Sequence, residues 1–100
     1  MVLYNITFRV DTEIVNDFKS FIKDYHVPSL QKDENIVEQK FLRLLNVDET
    51  DSVTMTLQYI LKDLNAYNAH IISKDSKFKQ QLSERYGEQV LYFCSLLENI

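Results

Sequence analysis

Two histidines, one cysteine and six tyrosines are the residues of this 100-residue chain whose types could do chemistry. His70 comes first. It lies one helical turn beyond Tyr67, where an imidazole could flank a pocket and work as a base at neutral pH. One histidine without a visible partner is a weak signal, and a partly exposed place on a helix surface accounts for it better. His26 stands just before Pro28 at the expected end of a helix. A cation there complements the helix dipole and an imidazole can reach last-turn carbonyls, so a structural role is expected ahead of catalysis. Cys94 runs with Val90, Tyr92 and Leu96 on an inward strand face, the setting of an inert core thiol. Two histidines and one cysteine without ligand spacing make no metal site. Asp48, Glu49 and Asp51 crowd one turn but lack the glycine and register of a calcium loop, and a solvated loop is expected. Tyr4, Tyr59, Tyr67 and Tyr92 fall on faces expected to meet. Phenols seek hydrogen-bond partners and could border a small polar cavity, although ordinary core tyrosines are the plainer reading.

The elements that position these residues follow from the hydrophobic period. It changes between two and 3.6 in the order strand, helix, strand, strand, helix, strand, which defines an α+β, ferredoxin-like βαββαβ sandwich. The first strand covers 2–10, with Val2, Tyr4, Ile6, Phe8 and Val10 on one face. Asp11 is expected to cap a helix over 12–26, whose stripe is Ile14, Phe18, Phe21, Ile22 and Tyr25, and which Pro28 should stop. A polar connection covers 29–35. The second strand, 36–45, has two inward sets open, Val37-Phe41-Leu45 and Ile36-Leu42-Leu44, which a bulge would reconcile. The third strand, 53–61, points Val53, Met55, Leu57, Tyr59 and Leu61 inward. Asp63 should cap a second helix that reaches Tyr86, with Leu64, Tyr67, Ile71, Phe78, Leu82 and Tyr86 as its stripe, an interruption at Asp75 and a bend near 73–76. Gly87, the only glycine, suits a left-handed stop. The fourth strand, 89–97, is apolar on both faces. One domain over 1–100 is expected, since this length builds one two-layer core.

Fifteen acidic against 11 basic residues leave the chain at −4, with a pI near 5.0. Phosphate backbones and anionic lipid surfaces would repel it on average. RNA-recognition modules share the strand order, but they stack bases on exposed aromatics of the first and third strands in a basic setting. Here those aromatics face the helices and the domain is acidic, so no nucleic-acid partner is expected. No segment has the ~18 apolar residues of a membrane span, and one cysteine forms no internal disulfide, so the expected location is the cytoplasm. Two helices cover only one face of a four-stranded sheet. The other would carry Leu3, Asn5, Thr7, Arg9, Thr54, Thr56, Gln58, Ile60, Leu91, Phe93, Ser95 and Leu97, with an apolar patch around the fourth strand that soluble monomers rarely expose. Packing against a twofold copy removes it, and a homodimer through the sheet faces is expected.

Tyr4-Asn5-Ile6-Thr7, His26-Val27-Pro28, Arg85-Tyr86-Gly87 and Ser95-Leu96-Leu97-Glu98 resemble the motifs of a family of small bacterial proteins known as a domain of unknown function. The likeness runs over nearly the whole chain. Phe18 and Phe21 stand where members commonly have tryptophans, and no glycine follows the His-x-Pro turn. This resemblance implies a dimeric α+β barrel and no established activity. A weaker likeness, in Ala66-Tyr67-Asn68-Ala69-His70 with Ser73 and Phe78, is to the antibiotic-biosynthesis-monooxygenase group, which has the same barrel. Some of its members oxidise aromatic substrates without metal or flavin, and others degrade haem. Asn5 matches by position an asparagine that surrounds haem in the degraders. This chain has no tryptophan, and Leu82 or Phe78 occupies the stretch of their histidine, so haem is not implied and no cofactor is expected. The leading expectation is a small dimer of unknown role that binds a small molecule between helices and sheet, with Asn5, Tyr59, Tyr67 and His26 as ligand-binding candidates. The alternative is a cofactor-independent oxygenase acting on a planar aromatic substrate, with His70 as base and Asn5 and Tyr67 positioning it.

Overall fold

β1 (Val2–Asp11), β2 (Ile36–Arg43), β3 (Ser52–Leu61) and β4 (Val90–Glu98) pair antiparallel in the order β2-β3-β1-β4. Helical segments α1, over 12–30, and α2, over 64–86, connect them, which completes the expected ferredoxin-like α+β fold. The computed structural model describes residues 1–30 and 33–100, except for the side chain of His70.

The core lies between the helices and the central strands. Tyr4, Ile6, Phe8 and Val10 of β1 and Val53, Met55, Leu57, Tyr59 and Leu61 of β3 are buried, as the period of two requires. Phe8 meets Phe18 and Phe78 edge-on, with ring centres 5.1 and 6.1 Å apart, so one aromatic cluster joins the sheet to both helices. Each such ring contributes roughly 1.5–3 kcal/mol by leaving water.

The helices depart from a uniform 3.6-residue period, and those departures shape the site. α1 begins as a tight turn over Thr12–Ile14, is regular over Val15–Ser20, widens into a π turn over Phe21–His26 and resumes over Val27–Leu30. A π turn takes more residues per revolution and so delays the inward phase. Tyr25, expected on the stripe, is therefore 67% exposed, while His26 turns inward and is buried. Pro28 does not end the helix either. The wide turn spreads the carbonyls that a proline ring would strike, and Ser29 Oγ donates to the His26 carbonyl at 2.6 Å. Asp11 makes no side-chain cap bond; the Thr12 amide donates instead to the Asp51 carbonyl at 3.1 Å.

Asp63 caps α2 as expected, its Oδ1 accepting from the Ala66 amide at 2.8 Å. The irregularity of α2 is a π turn over Tyr67–Ile71, earlier than the expected bend at 73–76. Leu64, in the first turn, is exposed rather than on the stripe. Gly87 adopts φ +55° with ψ −129°, a positive-φ conformation that a Cβ disfavours, rather than the expected left-handed helical one.

In β2 the register slips at Val37. Ile36 pairs with Leu61 and Glu38 with Ile60, so Val37 is the extra residue of a bulge. The helix-facing set combines Ile36 from one expected phase with Phe41 from the other, while Leu44 and Leu45 lie beyond the strand and are exposed. On β4, Tyr92 and Leu96 share the helix-facing phase yet remain exposed, and Cys94 between them is half-buried rather than sealed in the core. β4 is an edge strand, with β1 as its one neighbour in the sheet. The opposite sheet face carries Leu91, Phe93 and Leu97 in the open.

Candidate functional site

The buried polar groups gather where the two π turns lie over β1 and β3. His26 Nε2 is 2.5 Å from the Tyr59 hydroxyl, and its ring stacks on Phe78 at 3.7 Å between centres. Beside it the Tyr4 hydroxyl donates to Asp75 Oδ2 at 2.6 Å, and Lys79 Nζ lies 2.8 Å from the same oxygen. The Tyr4 and Tyr59 rings stack 6.2 Å apart, and Tyr67 leans on Tyr4 at 5.2 Å. Three of the four tyrosines expected to converge do so. Tyr92 stays outside, under the Lys79 ammonium at 5.8 Å.

Burial sets the protonation states. It pushes the His26 imidazole down to about 4, against the pull of the Asp75 charge, so the ring is neutral at pH 7. Burial also raises the Tyr59 phenol well above its ordinary range, with the nearby Gln39 amide opposing. The Tyr4 phenol is raised by burial first and then by its bond to Asp75. Tyr59 therefore donates and the imidazole accepts at Nε2, which leaves Nδ1 with the proton. Such a histidine is a poor general base, since its conjugate acid does not persist at neutral pH. The Asp75 carboxylate is already held by a phenol and an ammonium. The arrangement is built to orient and recognise more readily than to abstract a proton.

The space around these groups has two parts. A crevice of about 10 Å³, with Tyr4, His26, Tyr59 and Asp75 among its walls, has room for about one water. A cleft of about 330 Å³ lies between the helices, and His26, Leu30 and Lys74 line both spaces. A more apolar hollow of about 280 Å³ on the opposite sheet face, between Leu3, Ile60 and Leu97, has none of the cluster's titratable groups.

His26, Tyr59 and Tyr67 are thus brought together. Asn5 is not: it pairs with Gln58 and Ser95 on the far face of the sheet, where its Nδ2 donates to Thr7 Oγ1 at 3.3 Å and its Oδ1 is buried without a donor. Asn5 and Tyr67 therefore cannot flank one substrate between helices and sheet, which corrects their expected pairing. The expected role of His26 as a cation at a helix end is also corrected, because the helix runs on to Leu30 and burial keeps the ring neutral. The side chain of His70 lies outside the described residues. Among the described residues no group of three or more histidine, cysteine or carboxylate side chains could hold a metal ion, and no helix is long and apolar enough to cross a membrane. The residues that sequence reasoning missed are Asp75, Lys79 and the role of Tyr4. Their signal was a carboxylate on the apolar stripe of α2 with a lysine four residues on, a spacing that puts both on one helix face.

Solved structures share this architecture at low identity, so the likeness concerns the fold. A candidate antibiotic biosynthesis monooxygenase from Deinococcus radiodurans superposes with a TM-score of 0.77 at 11% identity, over 99% of this chain and 92% of its own. A monooxygenase from the gene ActVA-Orf6 of Streptomyces coelicolor, in complex with the ligand nanaomycin D, gives 0.70 at 11% identity, over 99% and 87%. A dimeric ferredoxin-like protein from an uncultured marine organism gives 0.65 at 14% identity, over 96% and 92%. No curated protein matches the chain. A family model matches residues 1–100, and the chain belongs to the family described as a domain of unknown function, DUF4286.

Proposed function

We propose that this protein is a cytosolic homodimer, one domain per chain, that binds a small molecule at the His26 cluster. The observation that carries the reading is the neutral, buried His26–Tyr59 pair, because the same imidazole lines both the crevice and the cleft between the helices. A core needs no such group; buried polar pairs at a concave surface are what ligand recognition uses. Two π turns support it, since these costly turns concentrate at functional sites. Dimerisation through the outer sheet face is supported by the exposed Leu91, Phe93 and Leu97 and by the dimeric ferredoxin-like neighbour. The cofactor-independent oxygenase has less support. The monooxygenase neighbours share the fold alone, and burial holds the His26 imidazole down at about 4, where it is a poor base. His70 carries no part of the reading.

Native mass spectrometry of the purified protein, alone and after incubation with a metabolite extract, tests both halves. A dimer that retains added mass, and loses it in His26→Gln with circular dichroism unchanged, is the expected result. A bare monomer would overturn the dimer, and a bare dimer after incubation would remove the ligand.

A further inference from the structure

We infer that the cleft between α1 and α2 takes a small organic anion with a flat apolar body, an inference that rests on the binding site proposed above. The chain has 15 acidic residues, yet none of the ten residues lining this cleft is acidic and three are cations. The two walls differ in chemistry. α1 presents Phe21, Tyr25 and Leu30, while α2 presents Lys74, Lys77 and Arg85 at spacings of three and eight, along one side of the helix.

The three cations are not equally occupied. Lys74 is held 2.7 Å from Asp33, whose carboxyl it keeps down at about 2 by that hydrogen bond. Arg85 reaches the two Asp17 oxygens at 3.4 and 3.5 Å, donates from Nε to the Tyr86 hydroxyl at 3.0 Å, and lies over the Phe21 ring at 5.0 Å, along the cleft wall. Lys77 has no acidic partner among the described residues. The cleft thus holds a surplus positive charge beside an aromatic wall, in a molecule whose net charge is −4. Local charge of that sign attracts anions against the overall field. Its volume lies at the low end for small-molecule sites, so a single-ring acid fits and a nucleotide does not.

Backbone amide shifts of labelled protein titrated with benzoate, neutral benzamide and cationic benzamidine test this at low salt. Benzoate should saturate shifts confined to 21–30 and 74–85, with benzamide about tenfold weaker and benzamidine silent. Lys77→Glu, on the exposed face of α2, should weaken benzoate at least about fivefold without altering the fold. Benzamide or benzamidine binding as tightly as benzoate would overturn the charge inference and leave the site in place. Silence of those segments towards all three probes would overturn the inference and count against the site itself.

Discussion

The two faces of the sheet come from alternate residues of the same strands, and they have opposite characters. Towards the helices, β1 contributes Tyr4, Ile6 and Phe8 to a closed interior whose polar groups are paired at 2.5–2.8 Å, the Gln39 amide nitrogen excepted. Away from them it contributes Leu3, Asn5, Thr7 and Arg9 to an open face with Leu91, Phe93 and Leu97 exposed and the Asn5 carbonyl oxygen without a donor. A few paired polar groups inside an apolar core and an apolar patch outside depart from the ordinary distribution. Under the proposed function each departure would be met by a different visitor: a ligand on the first face, a second copy on the second.

Substitutions that separate the faces should differ first in size. Phe78→Ala removes the ring on which His26 stacks and should cost about 3–5 kcal/mol in urea unfolding; a loss below about 1 kcal/mol would mean the aromatic cluster is loosely packed. Asp75→Ala strands the Tyr4 hydroxyl and the Lys79 ammonium, and a loss on the order of 3 kcal/mol is expected. Asp75→Leu should recover part of it if shape rather than charge governs the interior.

A pH series reads the inner face alone. His26 titrates at about 4 when folded, below its unfolded value of 6.5. Between those values the unfolded chain binds a proton that the folded chain refuses. The stability is therefore complete above pH 6.5 and falls by about 3 kcal/mol as the pH drops to about 4. His26→Gln should flatten that part of the profile, and an unchanged slope would assign the acid sensitivity to other groups.

Changes on the outer face should leave unfolding of the single chain nearly untouched. Phe93→Ser with Leu91→Ser is expected to shift it by no more than about 0.5 kcal/mol. The same pair should raise the dimer dissociation constant at least about tenfold in sedimentation equilibrium. The reverse pattern, a large stability loss with unchanged association, would show that the strand-four patch packs within one chain.

The clean alternation of β1 and β3 was legible because a period of two survives wherever one face is buried, and the Asp63 cap and Gly87 stop were legible as local chemistry. The phase of β2 was not, since one extra residue at Val37 reverses every side chain after it. The site was half legible. Tyr4, Tyr59 and Tyr67 were expected to meet and do. His26 was read as a cation at the helix end because uniform helical geometry places Tyr25 inward in its stead, and a π turn leaves no mark in the residue pattern. Asp75 was visible only as a gap in a stripe, for its partner Tyr4 lies 71 positions away.

By itself the sequence determined the acidic balance, a sum over the composition, and the order of elements and inward residues of the central strands, which depend on neighbours a few positions apart. Tertiary structure alone decided that His26 is buried and neutral and that Asp75 closes on Tyr4. Those facts rest on turn widths and on contacts between distant segments, where burial replaces water with protein and sets both charge and hydrogen bonding.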